Sequence, residues 1–118
     1  MTTDDIQPKW ERLVQFMSEK FSDGSEELDL QAILFIIGIQ ELGRGYQDFS
    51  KEEKMDLLHI AICKLLSKHG YYEFEHKDDD GWPHYKINKK MPPLSPKKQT
   101  ELMKESILEY FEDAKIEF

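Results

Sequence analysis

Leu30-Gln31-Ala32-Ile33-Leu34-Phe35-Ile36-Ile37-Gly38-Ile39 is apolar on nearly every side of a helix, and Leu57-Leu58-His59-Ile60-Ala61-Ile62-Cys63-Lys64-Leu65-Leu66 is nearly as apolar. Directly after them, Tyr71-Tyr72-Glu73-Phe74 and Trp82-Pro83-His84-Tyr85 flank Asp78-Asp79-Asp80-Gly81, with Asp80-Gly81 as a turn signal. Two buried helices leading into an aromatic β-hairpin over about residues 71–88 set the class: mainly α (α+β), about four helices, with the hairpin between helices three and four.

The flanking sequence supplies the other helices. Trp10, Leu13, Val14, Met17 and Phe21 recur at helical spacing, which buries one face of a first helix. Pro8 suits a first turn and predicts a start near it. Ser22-Asp23-Gly24-Ser25 reads as its end. Glu26, Glu27 and Asp29 then place negative charge where the N-terminus of helix two favours it. Helix two runs to about Leu42, with Gly43 as its C-terminal cap. Being apolar all round, it is expected at the centre of the domain or in an oligomer interface. Gly38 inside it costs roughly 1 kcal/mol relative to alanine, and a close helix crossing would account for it.

Gly43-Arg44-Gly45-Tyr46-Gln47-Asp48-Phe49 is a loop, and Ser50-Lys51-Glu52-Glu53 a capping box for helix three, which Gly70 ends. In the hairpin, strict alternation puts Tyr72, Phe74 and His76 on one face and Tyr71, Glu73 and Glu75 on the other. Pro83 marks the second strand as an edge. A basic, proline-bearing connection follows, with Lys86, Lys89, Lys90, Lys97 and Lys98 and no acid among them. Ser95-Pro96 opens the last helix as cap and first residue, and Leu102, Met103, Ile107, Tyr110, Phe111 and Ala114 form its buried stripe.

The totals bound the function. A chain of 118 residues suits a single domain over 1–118 with one core. The apolar fraction of 39% is periodic rather than scattered, which argues against disorder despite 34% charged residues. A net charge of −8 disfavours nucleic-acid and anionic-membrane binding, since both need a positive field. The longest apolar run, residues 32–39, is far below the ~20 residues of a membrane span. One cysteine, Cys63, excludes an internal disulfide, and with a short acidic N-terminus the expected compartment is cytoplasmic.

No catalytic signature stands out. His59 and Cys63, four residues apart, share a helix face at a spacing that can hold a metal, yet no second His/Cys pair completes a site. A thiol among leucines reads as structural rather than nucleophilic. Placing Gly81 at the sixth position of an EF-hand loop puts His76 at the first and Ile87 at the twelfth, which removes both key ligands. His76 and His84, on opposite strands, could approach one another near Asp78 or Asp80, but exposed strand histidines are the simpler reading. Gly43-Arg44-Gly45 follows a helix and has no Gly-Lys-Ser/Thr ending, so it is no phosphate loop. The expectation is therefore no cofactor and no metal.

Three classes remain. The first is a non-catalytic acidic protein–protein interaction module, with a protein partner or a second copy as a homodimer. Its candidate surface is Tyr71, Tyr72, Trp82 and Tyr85, because a two-stranded ribbon has two faces and the core can cover only one. The second is a winged-helix-like nucleic-acid-binding regulator, suggested by three helices, a hairpin and a helix in that order. Helix three offers Asp56, Lys64, Ser67 and Lys68 outside, without the Arg, Asn or Gln that read base edges, and the chain's two arginines are Arg12 and Arg44. The third is a small metal-binding protein or enzyme using His59, Cys63, His76 or His84.

Residues 36–43, Phe49-Ser50-Lys51-Glu52, His59-Ile60-Ala61, Gly70-Tyr71-Tyr72-Glu73 and Asp80-Gly81-Trp82-Pro83-His84 resemble a group of small bacterial proteins of uncharacterised function. The resemblance extends over residues 36–84 and implies a cytoplasmic bacterial protein. It carries no activity, cofactor or catalytic residue.

Overall fold

A computed structural model describes residues 3–22, 27–45 and 47–118. Its elements are α1 (Thr3–Ser22), α2 (Leu30–Leu42), α3 (Lys51–Ser67), β1 (Tyr72–Lys77), β2 (Pro83–Ile87) and α4 (Pro96–Asp113). This is the mainly helical class with one antiparallel hairpin between the third and fourth helices. Asp23, Gly24, Ser25, Glu26 and Tyr46, read above as helix end, acidic N-terminus and loop, lie outside the described residues. Among the described residues no helix is long and apolar enough to cross a membrane.

The chain divides into two units, residues 1–33 with 93–118, and residues 34–92. In the first, α1 packs on α4. Ile6, Trp10, Leu13, Val14, Met17, Ile107, Leu108 and Phe111 are buried. α1 begins at Thr3, not near Pro8, so Pro8 lies inside it. The physical reason is Ile6, which is fully buried and gives the extra turn an apolar anchor. Pro8 has no amide proton, so that turn lacks one backbone hydrogen bond. Ser18 is buried and satisfied, its Oγ accepting the Leu28 amide (2.9 Å). Ser95 Oγ accepts the Lys98 amide (3.2 Å) and Pro96 is the first residue of α4. Ala114 is exposed beyond the helix end, so the buried stripe stops at Phe111, with Ser106 and Leu108 inside it.

The second unit carries α3 and the hairpin. Ser50 Oγ accepts the Glu53 amide (3.1 Å), and Glu53 Oε1 accepts the Ser50 amide (2.9 Å), which completes the capping box. Gly43 (φ +79°) donates to the Ile39 carbonyl (3.1 Å) and closes α2. Leu57, Ile60, Ala61, Cys63, Leu65 and Leu66 turn the buried face of α3 inward. Both strands pack on α3.

The hairpin departs from strict alternation. Tyr72 pairs with Ile87, Glu73 with Lys86 and Phe74 with Tyr85, but His76 pairs with His84 and Lys77 with Pro83. Glu75 is therefore an extra residue in β1, a bulge. Because paired residues share a face, the bulge moves His76 off the Tyr72/Phe74 face and onto that of Glu73, His84 and Lys86. At the tip, the Gly81 amide donates to the Asp78 carbonyl (2.9 Å) and the Asp78 amide to the Trp82 carbonyl (3.0 Å). Gly81 has φ +87°. This is a three-residue loop with the glycine after the turn, a conformation that favours glycine.

Candidate functional site

The four aromatic residues expected to form an interaction surface are each only partly exposed. Trp82 packs against Leu42, Phe49 and Leu57, the buried cluster that joins the end of α2 to α3. Tyr72 meets the edge of the His59 ring, with centroids 6.4 Å apart at 88°. Tyr85 stands against α3, where burial, then Glu41 and Cys63, push its hydroxyl up to about 12. Tyr71 sits just before β1, and Lys89 Nζ lies 4.8 Å from the centre of its ring. A cation on an aromatic face at that distance is attractive by about 0.5–1 kcal/mol.

The exposed apolar side chains of the ribbon are Phe74 (50% exposed) and Ile87 (71%). They are diagonal neighbours on one face, since Phe74 pairs with Tyr85 and Ile87 with Tyr72. Phe74 packs edge-on to Tyr85 (5.8 Å, 77°). Composition picked out tyrosine and tryptophan as amphipathic anchors, while the ring that reaches solvent is a phenylalanine. The available signal was position: strand ends and places beside a bulge are the least covered.

Both strands are edges, because among the described residues the sheet has two strands. Each edge is defended. β1 carries the Glu75 bulge, and β2 opens on Pro83. Glu73 and Lys86 face each other at 3.8 Å across the pair. A further strand would meet interrupted hydrogen bonding on both sides, so contact through side chains is favoured over strand addition.

Asp78 organises the tip. Its Oδ1 accepts the amides of Asp80 and Trp82 (3.0 Å each), and its Oδ2 accepts from His84 Nε2 (2.8 Å). The His84 bond, then the backbone amides, hold its carboxyl below the usual carboxylate range. His76 and His84 stack with centroids 4.9 Å apart and planes 8° apart. Parallel rings aim their nitrogens in separate planes rather than at a common point. The acidic tip is thus a self-satisfied turn, with Asp79 and Asp80 exposed.

His59 and Cys63 do come together, with Cys63 Sγ 3.4 Å from His59 Nε2. The thiol is fully buried, and burial pushes it up to about 11. At neutral pH it is a thiol, not the thiolate a nucleophile or metal ligand needs. Among the described residues no group of three or more His, Cys, Asp or Glu is arranged to hold a metal ion. The exposed side of α3 mixes Lys51, Glu52, Lys54, Asp56 and Lys64, which gives no continuous positive stripe. No family model, curated protein or solved structure matches the chain.

Proposed function

We propose that the protein is a non-catalytic interaction module that binds a partner protein through the exposed apolar side chains of its hairpin, Phe74 and Ile87. The observation that carries this reading is the proximity of Phe74 and Ile87, diagonal neighbours that stay open to solvent at the margin of the ribbon face whose Tyr72 and Tyr85 pack toward α3. Exposed apolar groups set on a rigid element are a usual part of a protein contact. Lone exposed apolar residues are ordinary on any surface; two adjacent ones on one strand pair are less so. The protonated, buried state of Cys63 further supports a role without nucleophilic chemistry. A single buried thiol also suits action in the cytoplasm.

Photo-crosslinking tests this reading. Benzoylphenylalanine replaces Phe74 in the full chain, and a second version carries it at the exposed Lys20 of α1. Illumination in native lysate is expected to give one discrete adduct from position 74 and none of that mass from position 20. Equal adduct patterns from the two positions would contradict the assignment of the surface.

A further inference from the structure

We propose that residues 90–96 are a polyproline II ligand, read by a partner protein whose groove is lined by aromatic rings and carries a carboxylate at one end. This goes beyond the hairpin surface. It rests on other residues and holds whether or not Phe74 and Ile87 bind.

The stretch Lys90-Met91-Pro92-Pro93-Leu94-Ser95-Pro96 connects β2 to α4 and holds three of the chain's five prolines. Each proline locks its own φ and drives the residue before it out of the helical region. Met91, Pro92 and Ser95 each precede a proline, and Pro93 carries the ring itself. Leu94 alone among residues 91–95 is unrestricted. Ser95 has φ −62° and ψ 156°, close to polyproline II values. Residues 91–95 form no helix, strand or turn.

Polyproline II repeats every three residues, and exposure follows that period. Met91 and Leu94, on one edge, are half-buried. Lys90, Pro92, Pro93, Ser95 and Pro96 are exposed. One edge of the segment thus turns inward, and the Leu94 carbonyl is further tied to α4 by Gln99 Nε2 (3.0 Å). The other two edges, Pro92 with Ser95 and Lys90 with Pro93 and Pro96, face solvent. The carbonyls of Met91, Pro92 and Pro93 accept no hydrogen bond among the described residues. Tyrosine hydroxyls and indole N–H groups in an aromatic groove are suited to donate to them.

Charge gives the contact a direction. Lys86 lies 3.8 Å from Glu73, and Lys89 lies on the Tyr71 ring at 4.8 Å. Lys90 is exposed and makes no hydrogen bond or ion pair among the described residues. Standing three residues before Pro93, it shares the edge of both spaced prolines. A carboxylate at one end of the groove pairs with it and selects the orientation of the P-x-x-P pair. The prolines preorganise the backbone, so docking forfeits little chain entropy. A net charge of −8 over the whole chain disfavours nucleic acid as the partner.

The probe is an isolated SH3 domain, whose groove is lined by tyrosine and tryptophan and rimmed by acidic residues. It is titrated into the 15N-labelled full chain. Saturable shifts are expected at the Lys90, Met91, Leu94 and Ser95 amides and none at Phe74. Pro93→Ala should weaken binding about tenfold, through loss of a ring contact and of preorganisation. Lys90→Gln should weaken it about two- to fivefold, as an exposed charge pair does. Both residues are exposed and outside every helix and strand, so both variants keep the fold, which their amide spectra check. Replacing the groove tryptophan of the probe by alanine should abolish the shifts. No saturable shift, shifts that survive the groove variant, or binding unchanged by Pro93→Ala would overturn the proposal and leave the segment a rigid spacer. A position-74 adduct without these shifts removes the polyproline ligand alone. Shifts without that adduct remove the hairpin surface alone.

Discussion

Gly38 lies against the backbone of Leu57, where α2 crosses α3. A Cβ built on Gly38 would overlap the Leu57 carbonyl oxygen and come within 2.8 Å of its carbonyl carbon. Both atoms are backbone, so no rotamer change relieves the contact. The helix-propensity cost of roughly 1 kcal/mol for a glycine here is therefore offset by a crossing that no larger residue permits.

Gly38→Ala is accordingly expected to destabilise the protein, even though alanine is the better helix former. Overpacking against backbone outweighs propensity, and a net loss of about 2 kcal/mol is expected. Urea denaturation followed by circular dichroism measures it. A gain in stability would mean that the two helices are further apart than described.

Trp82→Ala should behave as a core mutation. The indole packs on Leu42, Phe49 and Leu57. Truncating a partly buried tryptophan is expected to cost about 2–3 kcal/mol. Denaturation curves give the value directly. An unchanged midpoint would place the ring on the surface.

Stability should fall on the alkaline side. Burial raises Cys63 from 9.0 to about 11 and Tyr85 from 10.0 to about 12. The folded state binds each proton more tightly than the unfolded chain does. The stabilisation is complete below pH 9 and is lost as pH rises from 9 to about 12, by up to roughly 3 kcal/mol for each group. Unfolding midpoints at pH 7 to 11 check this. Cys63→Ala and Tyr85→Phe should each flatten the decline, and a decline unchanged in both variants would contradict it. The same burial predicts that Cys63 reacts with thiol reagents only on unfolding.

Ser50→Ala should cost about 1 kcal/mol, because it leaves the Glu53 amide without its cap. Ser50→Asp should recover most of that loss, which thermal melts resolve. A neutral Ser50→Ala would show that water replaces the cap at no cost.

Several elements could be read from local chemistry because that chemistry decides them. Ser50 and Glu53 cap α3, Ser95 and Pro96 open α4, and Gly43 closes α2, each through groups adjacent in sequence. The misses are non-local. The start of α1 turns on burial of Ile6, a tertiary property that overrode the first-turn preference of Pro8. The Glu75 bulge has no residue signature, and it alone decides which face His76 occupies. Which aromatics emerge was also hidden. From the sequence, Tyr71, Tyr72, Trp82 and Tyr85 stand forward as the surface, whereas cover by α3 and the Leu42 cluster leaves Phe74 as the most exposed ring of the ribbon.

The most direct measurement is partner retention by the Phe74→Ser/Ile87→Ser double variant, run beside its unfolding free energy. Both side chains are exposed, so stability is expected to stay within about 0.5 kcal/mol of wild type for each substitution. A partner held stoichiometrically by the wild-type chain should then be lost from a variant that is still folded. Undiminished retention of that partner by the folded variant would contradict the account.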